Sequence, residues 1–391
     1  MEGGEAVTGV GAALEELRRA GLLRELRTLE SAPGARVHLD GREVLLLCSN
    51  DYLGLAGHPA VRAAAAEAAQ RWGAGAGSSR LVSGNLALHD RLEAELAAFK
   101  GTEACLLFGS GYLANTGVIA ALAGREEVVL SDARNHASIV DGCRLARAET
   151  IVYDHADLDA LAAALRRADG RRALIVTDAV FSMDGDLAPL EGIVELAHRH
   201  GAGIVVDEAH ATGVVGPGGR GLVAQLGLER EVDVVVGTLG KALGSYGAFA
   251  ACTREMAAFL LNRARTAIFS TALAPPAAGA ALEALRLVRE EPGRLERLHA
   301  NARTLRDALA AQGLRIPAAP PTMPIVPLMV GDPHAAMALC EAALARGVFA
   351  QAIRPPTVPA GASRLRLVAT AAHEPADLRA AAATLAAGLT D

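Results

Sequence analysis

The sequence predicts an α/β protein with a doubly wound, mostly parallel seven-stranded sheet, followed by a smaller C-terminal α+β domain. Short runs rich in valine, isoleucine, leucine and alanine recur between residues 104 and 252. These runs are continuous rather than alternating, as in strands that are buried on both faces. Amphipathic helical stretches separate them, and such alternation favours a parallel sheet. After Pro275-Pro276 the pattern changes to longer helices and fewer strands.

The predicted elements begin with an amphipathic helix over 13–30, where apolar residues recur at helical spacing until Pro33-Gly34 ends the helix. Residues 41–50 are expected to be an extended entry into the main domain. The strands predicted for the large sheet span 104–108, 127–132, 149–153, 173–181, 203–210, 232–238 and 247–252.

The C-terminal part predicts a long helix over 278–312 and a proline-rich turn over 316–324. The elements expected after this turn are a strand at 325–330, a helix at 335–347, strands at 348–353 and 363–370, and a final helix. A chain of 391 residues is expected to hold two or three domains. We divide it into an N-terminal helical segment (1–45), a large α/β domain (46–285) and a small α+β domain (286–391).

Composition narrows the classes of function. The formal net charge of −6 gives no electrostatic reason to expect nucleic acid or an anionic membrane as a partner. The first residues lack the pattern of a signal peptide, and no run of about 18 apolar residues predicts a membrane span. The five cysteines are widely spaced and match no zinc or disulfide pattern, so we expect buried thiols, no metal and a cytoplasmic location.

Lysine is rare in this chain. Of 38 basic residues only Lys100 and Lys241 are lysines, so chemistry that needs a side-chain amine has two candidates. Lys100 precedes Gly101 at a predicted helix C-terminus, where a cation followed by glycine has a structural purpose. Lys241 follows a strand in GTLGKALGS, where glycines let the backbone approach a ligand. The alternative for Lys241 is a solvated loop lysine, but its retention here favours a nucleophile.

Ligands of open α/β sheets bind beyond the carboxyl ends of the strands. Asp207 ends one predicted strand and His210 follows it, while Thr238 and Lys241 follow the next. A carboxylate can pair with a protonated ring nitrogen, and an imidazole can stack on the ring. Pyridoxal phosphate needs such a carboxylate and a lysine amine. Taken alone, Asp207 and His210 are also compatible with a metal site or a structural polar cluster.

Two other strand ends add weaker signals. In FGSGYLAN, Gly109–Gly111 can present backbone N–H groups to a phosphate at a helix N-terminus, and Tyr112 is placed to lie over a ring. His136 is expected to stack on the opposite ring face or to donate to a substrate, and a structural histidine is the alternative. Ser182 and Asp184 form a further polar tip.

The motifs at these positions resemble those of the α-oxoamine synthases, pyridoxal-phosphate enzymes that join an amino acid to an acyl-CoA with loss of CO₂. The resemblance covers about residues 20–388. Its strongest segments are CSNDYLGL (48–55), GSSRLVSGN (77–85), NHASIVDG (135–142), FSMDGDLAPL (181–190), VDEAHATGVVG (206–216) and GTLGKALGS (237–245). It implies the PLP-dependent transferase fold type I and a homodimer with active sites at the interface.

The resemblance also implies roles for the catalytic residues. Lys241 covalently holds the cofactor and moves the Cα proton, while Asp207 pairs with the pyridine nitrogen. His210 contacts the phenolic oxygen, and His136 stacks on the ring and orients the substrate. The other implied cofactor contacts are Gly111, Tyr112, Ser182, Thr238 and, from the neighbouring subunit, Ser270 and Thr271.

The residues implied on the substrate side, besides His136, are Arg24, Asn50, Thr357 and Arg366. Arg366 is the expected clamp for the amino acid carboxylate, because a guanidinium binds a carboxylate through two hydrogen bonds. Arg27 offers an alternative register for Arg24.

The segment 353–367, IRPPTVPAGASRLRL, most resembles the family member of biotin biosynthesis. It implies condensation of L-alanine with pimeloyl-CoA, or with a pimeloyl carrier protein, to give 8-amino-7-oxononanoate. The alternatives within the family are 2-amino-3-ketobutyrate CoA ligase, 5-aminolevulinate synthase and serine palmitoyltransferase. A non-catalytic partner subunit of the same fold and a metal hydrolase using Asp207, His210 and His136 are alternatives of other classes.

Overall fold

The computed structural model describes residues 9–168 and 170–390, so the first eight residues of the predicted N-terminal segment lie outside the described residues. The chain forms two compact units. Of the described residues, the smaller unit combines 9–49 with 300–369 and 373–390, and the larger unit contains those within 50–299 together with 370–372. The N-terminal segment thus belongs to the same compact unit as most of the C-terminal part, whereas domain boundaries at 45/46 and 285/286 stay a prediction.

The strands are short and most are largely buried. In chain order they are β1 (Arg36–Leu39), β2 (Arg42–Leu46), β3 (Ala104–Phe108), β4 (Val128–Asp132), β5 (Glu149–Tyr153), β6 (Ala173–Asp178), β7 (Gly203–Asp207), β8 (Val234–Thr238), β9 (Ala248–Cys252), β10 (Ile325–Gly331), β11 (Val348–Phe349), β12 (Gln351–Ile353) and β13 (Ser363–Val368).

The α-helices of both units vary widely in length. In chain order they are α1 (Val10–Arg19), α2 (Pro59–Trp72), α3 (Ala87–Lys100), α4 (Gly111–Leu122), α5 (Ala137–Ala146), α6 (Leu158–Arg167), α7 (Leu190–His200), α8 (Leu222–Gln225), α9 (Arg254–Arg263), α10 (Arg265–Ile268), α11 (Pro275–Glu290), α12 (Gly293–Ala311), α13 (Pro333–Ala345) and α14 (Pro375–Thr390). Within the described ranges, none of these helices combines the length and apolar character that crossing a bilayer requires.

The large unit is built on one sheet, which within the described residues has seven strands in the order β3-β9-β8-β7-β6-β4-β5. Only β9 runs antiparallel to its neighbours, β3 and β8. The valine-rich centre of the sheet is fully buried, as in Val176, Val205 and Val236, and packs with α4 and α5 in one apolar core. All seven predicted strands and the mostly parallel sheet are confirmed.

The parallel centre of the sheet brings polar residues to one edge. Asp178 is the last residue of β6 and lies opposite Asp207, the last residue of β7. β8 runs parallel beside β7 and ends at Thr238. Because parallel strands end on the same side, the sequence positions that follow β6, β7 and β8 are brought together.

The small unit contains two three-stranded sheets in the described residues, β1-β2-β11 and β10-β13-β12. The predicted extended segment 41–50 forms β2, but it pairs in the first of these sheets rather than entering the large unit. The predicted strand 348–353 is wrong as one strand, because β11 pairs with β2 while β12 pairs with β13. Periodicity could not show that one extended run serves two sheets.

Two helix predictions are wrong in length. The first helix ends at Arg19 rather than near residue 30, since Gly21 adopts a φ of 65° and the Leu22 N–H donates to Leu17 O at 2.8 Å. A glycine at a left-handed C-terminal position closes a helix in this way. The predicted helix 278–312 is interrupted between α11 and α12 at Pro292, where proline lacks the N–H that a continuous helix requires.

Candidate active site

The amine of Lys241 lies in a chain of three polar side chains. Lys241 follows β8, and its Nζ is 2.8 Å from Nε2 of His210. The other ring nitrogen of His210, Nδ1, is 2.6 Å from the hydroxyl of Tyr52. His210 and Tyr52 are buried, and Lys241 is half-buried. The structure thus joins the two predicted residues to a tyrosine that sequence reasoning did not single out, although it lies in the CSNDYLGL segment.

Asp207 is held at the end of β7 with 4% of its surface exposed. Its Oδ2 accepts from Asn115 Nδ2 at 2.5 Å, and its Oδ1 accepts from the Ala209 N–H at 2.7 Å. Burial, followed by the charge of Asp207, raises the pKa of the neighbouring Asp178 well above its usual range. Asp178 and Asp207 thus form a pair of buried carboxyl groups at the ends of adjacent parallel strands.

His136 is tied to the same carboxylates. It is the N-cap of α5, and its backbone N–H donates to Asp178 Oδ2 at 2.7 Å. Its Nδ1 lies 2.8 Å from Ser138 Oγ, and Asn115 Nδ2 bridges from that hydroxyl to Asp207. Burial lowers the pKa of His136; the charge of Asp207 opposes this effect and that of Lys241 adds to it. A neutral imidazole at neutral pH suits stacking on a ring.

The predicted anion site lies at the start of α4. Ser110 caps this helix, its Oγ accepting from the Leu113 N–H at 3.2 Å. A Cβ added to Gly111 would lie 3.9 Å from Cβ of Thr238, so the helix start and the end of β8 adjoin. The Thr238 hydroxyl donates to Gly247 O at 3.1 Å and accepts from the Gly240 N–H at 3.2 Å. This arrangement offers helix N–H groups to an anion beside a hydroxyl.

The structure places the remaining predicted cofactor contacts near the surface of the large unit. Tyr112 is 46% exposed and its hydroxyl donates to Asp141. Ser182 is half-buried in the loop after β6. Ser270 and Thr271 follow α10, and Thr271 forms an isolated β-bridge with Ser79. These positions are consistent with contacts supplied across a subunit boundary for Ser270 and Thr271, which remain predictions.

Of the predicted substrate residues, Asn50 lies in the large unit, where its Oδ1 accepts from the Tyr52 hydroxyl at 3.3 Å. Arg366 is buried in β13 of the small unit. Arg24 and Thr357 line one cavity of about 660 Å³ in the small unit, together with Arg27. Their grouping agrees with the common role that was predicted for Arg24 and Thr357.

The two alternative arginines of this cavity differ in their contacts. Arg27 forms an ion pair with Glu341, whereas no carboxylate of residues 9–168 and 170–390 lies within salt-bridge distance of the exposed Arg24. This favours Arg24 for an incoming anion. Sequence reasoning missed Arg354, which lines the same cavity and whose Nη2 donates to Leu23 O at 3.2 Å, so that it holds the segment before Arg24.

Lys100, the other lysine, is enclosed by partners. Its side chain is 2% exposed and forms an ion pair with Glu208, whose side chain is fully buried. Its Nζ also donates to Arg220 O at 2.5 Å and to Thr212 Oγ1 at 3.3 Å. Lys100 is the last residue of α3 and Gly101 caps it at a φ of 75°, as the sequence predicts, but the buried ion pair with Glu208 was not predicted. The contacts of Lys100 fix the turn that follows Asp207 and carries His210.

Gly244 shows why the lysine loop is rich in glycine. It adopts a φ of 57°, and a Cβ there would lie 2.4 Å from Ala56 N and 2.5 Å from Leu55 C. We expect Gly244→Ala to lower the free energy of unfolding by roughly 2–4 kcal/mol, since backbone strain and overpacking add. Chemical denaturation measures this change. Gly240→Ala is the matched control, because the nearest atoms to its Cβ lie at 3.6 Å; equal losses in the two variants would refute the steric explanation.

The structure does not supply the ligands that a metal hydrolase would need. Among the residues that the structure describes, no three histidine, cysteine, aspartate or glutamate side chains converge as metal ligands. The site is instead a cluster of an amine, two imidazoles and two carboxylates beside a helix N-terminus.

Comparison with known proteins assigns the family. The profile of aminotransferase class I and II matches residues 42–385. An 8-amino-7-oxononanoate synthase of Anaeromyxobacter dehalogenans (strain 2CP-1) is 53% identical over 386 residues, covering 99% of this chain and 96% of that protein. A serine palmitoyltransferase of S. paucimobilis, solved with a bound PLP–myriocin aldimine, is 34% identical with a TM-score of 0.92, covering 97% of this chain and 96% of that one. An 8-amino-7-oxononanoate synthase structure from Francisella tularensis is 25% identical with a TM-score of 0.77, covering 89% and 98%. The chain therefore belongs to the aminotransferase class I and II family.

Proposed function

We propose that this protein is a pyridoxal-phosphate-dependent acyltransferase that condenses L-alanine with a pimeloyl thioester, forming 8-amino-7-oxononanoate and CO₂ in cytoplasmic biotin biosynthesis. The observation that carries the proposal is the placement of Lys241 against His210, in a chain that is 53% identical to an 8-amino-7-oxononanoate synthase over 386 residues. In the large unit this amine is accompanied by Asp207, which ends the neighbouring parallel strand β7, and by the N-terminus of α4.

The described residues fit pyridoxal phosphate. Asp207 is a buried carboxylate at the end of β7, which suits a protonated ring nitrogen, and Oδ1 of Asn115 beside it is buried without a hydrogen-bond partner. The start of α4 at Gly111 and the hydroxyl of Thr238 suit a phosphate. When bound, the cofactor supplies an electron sink for negative charge on the substrate α carbon. The residues present thus match the ring, the phosphate and the aldehyde of this group.

The residues of the site divide the work of holding and moving protons. We assign the covalent attachment of the cofactor and the transfer of the Cα proton to the Nζ of Lys241. His210, 2.8 Å from that nitrogen and held by Tyr52, fixes the direction of the amine. Neutral His136 is assigned to the ring face and to substrate orientation, and Ser182 to a cofactor contact. Proton transfer by a side chain requires that its nitrogen or oxygen be held within hydrogen-bond reach of the proton that it moves.

Substrate recognition is assigned to two arginines, which suit anionic groups of the substrates, and to two polar side chains. Arg366 is proposed to bind the amino acid carboxylate through its guanidinium, and Asn50 to contact the substrate. Arg24 and Thr357 are proposed for the acyl substrate, since they line the cavity of about 660 Å³ and Arg24 is exposed. Tyr112 is assigned to the cofactor side.

A homodimer is part of the proposal. Large apolar side chains are exposed in the large unit around the Ser79–Thr271 bridge: Leu81 by 54%, Val82 by 79% and Phe269 by 70%. Clusters of exposed apolar residues mark protein interfaces. Burial of this surface against a second copy would bring Ser270 and Thr271 to a shared active site, as their predicted role requires.

Serine palmitoyltransferase activity is the second candidate, because solved serine palmitoyltransferases superpose with a higher TM-score, 0.92, than the 8-amino-7-oxononanoate synthase structure at 0.77. Overall backbone similarity is a weaker guide to substrate than 53% sequence identity.

The experiment that separates these candidates is a substrate panel. Alanine, glycine and serine are each combined with pimeloyl-CoA, acetyl-CoA, succinyl-CoA and palmitoyl-CoA, and release of the CoA thiol is followed. We expect turnover with alanine and pimeloyl-CoA, with Lys241→Ala as the inactive control. A parallel reaction with pimeloyl carrier protein distinguishes the thioester donors. Preference for serine with palmitoyl-CoA would replace the proposal with the second candidate.

A further inference from the structure

His155 bridges two carboxylates beside the candidate active site. It follows β5, and its Nδ1 is 2.9 Å from Oδ1 of Asp132, the last residue of β4. Its Nε2 is 2.6 Å from Oδ2 of Asp186, in the loop between β6 and α7. A neutral imidazole has one N–H, so only the imidazolium donates to both carboxylates. The arrangement is therefore built for a cation.

The loop between β6 and α7, which His155 contacts through Asp186, is closed by hydrogen bonds between its own backbone groups. The Phe181 N–H donates to Asp186 O at 3.0 Å, and the Gly185 N–H donates to Phe181 O at 2.9 Å. The ring of Phe181 meets the His155 ring edge to face, with centroids 4.4 Å apart. Ser182, a proposed cofactor contact, lies inside this turn. Contacts that fix Phe181 and Asp186 therefore fix Ser182 from both sides.

The other end of the bridge is rigid. Asp132 is 3% exposed, and its oxygens accept from the Arg134 N–H and the Ala156 N–H, both at 2.8 Å. Ala156, next to His155, is held at a φ of 54°, a left-handed conformation that alanine rarely adopts. The chain thus tolerates backbone strain at the point where the imidazole is aimed at Asp132.

The charges around the ring favour its protonated form. Burial lowers the pKa of His155, but the hydrogen bonds and charges of Asp132 and Asp186 outweigh burial and raise it to about 9. Tyr153 of β5 and Asp178 of β6 approach Asp132, and on the loop Asp184 is paired with Arg134 at 3.1 Å. A pKa raised above the usual 6.5 means that the stability contributed by the bridge is fully present below about pH 6.5 and is lost as pH rises to about 9.

We propose that His155 is a positioning residue, whose imidazolium fastens the loop that carries Ser182 to the end of β4. The inference rests on the proposed function in one respect, namely that Ser182 contacts the cofactor. The bridge acts on the loop through Asp186 and Phe181, and it sets the loop before any substrate is present.

Hydrogen exchange of the holoenzyme tests the proposal at the backbone amides of Phe181 and Gly185. After correction for intrinsic exchange, protection of these amides should be constant below about pH 6.5, fall as pH rises from there to about 9, and level off above it. In His155→Gln they should exchange roughly 10- to 100-fold faster at pH 7, the size expected from losing a charged hydrogen bond. The matched control is His198→Gln, which removes an exposed histidine from its 2.9 Å contact with Glu231 in the same unit.

Asp186→Asn provides a second variant that keeps an acceptor for the ring but removes one charge. The proposal requires the fall in loop protection to end at a lower pH than in the unmodified protein, and the affinity for added pyridoxal phosphate to decrease with it. If Asp186 only packs the loop, Asp186→Asn will lower amide protection equally at all pH values and leave its pH dependence unchanged. That result would overturn the proposal. Hydrogen exchange is measured without turnover, so its result can be interpreted even if the substrate panel contradicts the proposed function.

Discussion

Lys241→Ala is expected to abolish turnover and to remove the visible absorbance of protein-bound cofactor. This variant lacks the amine to which we assign cofactor attachment and transfer of the Cα proton, and proton transfer by a placed side chain alone contributes about 10²–10⁴-fold to a rate. The chain has one other lysine, and that side chain is 2% exposed and ion-paired with Glu208. Absorbance spectra and CoA release, measured on the same sample, check both parts of the result.

The control for this variant is its stability. Lys241 is half-buried in the loop after β8, so removal of its side chain creates no closed cavity and should leave thermal unfolding close to that of the unmodified protein. Lys241→Arg keeps the positive charge without a usable amine and should be equally inactive. Normal turnover in either variant would contradict the assignment of the amine.

Lys100→Met is expected to have the largest effect on stability, lowering the free energy of unfolding by roughly 3–5 kcal/mol. The side chain of Glu208 is fully buried, so removal of the lysine leaves a carboxylate without its cation in the interior. Glu208 also accepts from the Val223 N–H at 2.7 Å, so the loss should spread to the turn around it. Denaturant unfolding of the unliganded protein measures the change.

A surface ion pair gives the matched comparison. Arg289 and Glu95 are paired with side chains that are 39% and 41% exposed, and Arg289→Met should cost no more than about 1 kcal/mol. Combining Lys100→Met with Glu208→Gln should recover part of the loss, because the second change removes the uncompensated charge. Equal effects of Lys100→Met and Arg289→Met would show that burial of the pair is not the cause.

The large sheet could be predicted from the sequence because its signal is local. Each central strand is a short apolar run, and β3, β5 and β9 lie within one residue of their predicted bounds. The errors fall where the outcome depends on distant or single residues. Gly21 ends the first helix early, and the run 348–353 divides because β2 and β13 offer separate edges to it.

The candidate site could be predicted in part. Asp207, His210 and Lys241 follow adjacent strands, so strand order alone brings them together. Tyr52 and Asn115 were missed as partners, because one comes from a segment far upstream and the other from the middle of α4. Their contacts are set by packing, which no spacing in the sequence reports. Tyr52 does lie in a motif that carried the family resemblance.

The scarcity of lysine has a practical consequence for labelling the protein. Lys100 is buried and ion-paired with Glu208, and Lys241 is the only other side-chain amine of the chain. With the cofactor attached to Lys241 as proposed, borohydride reduction would fix it at this one side chain. The extent of reduction there, read by mass spectrometry, would report cofactor occupancy without engineering of the surface.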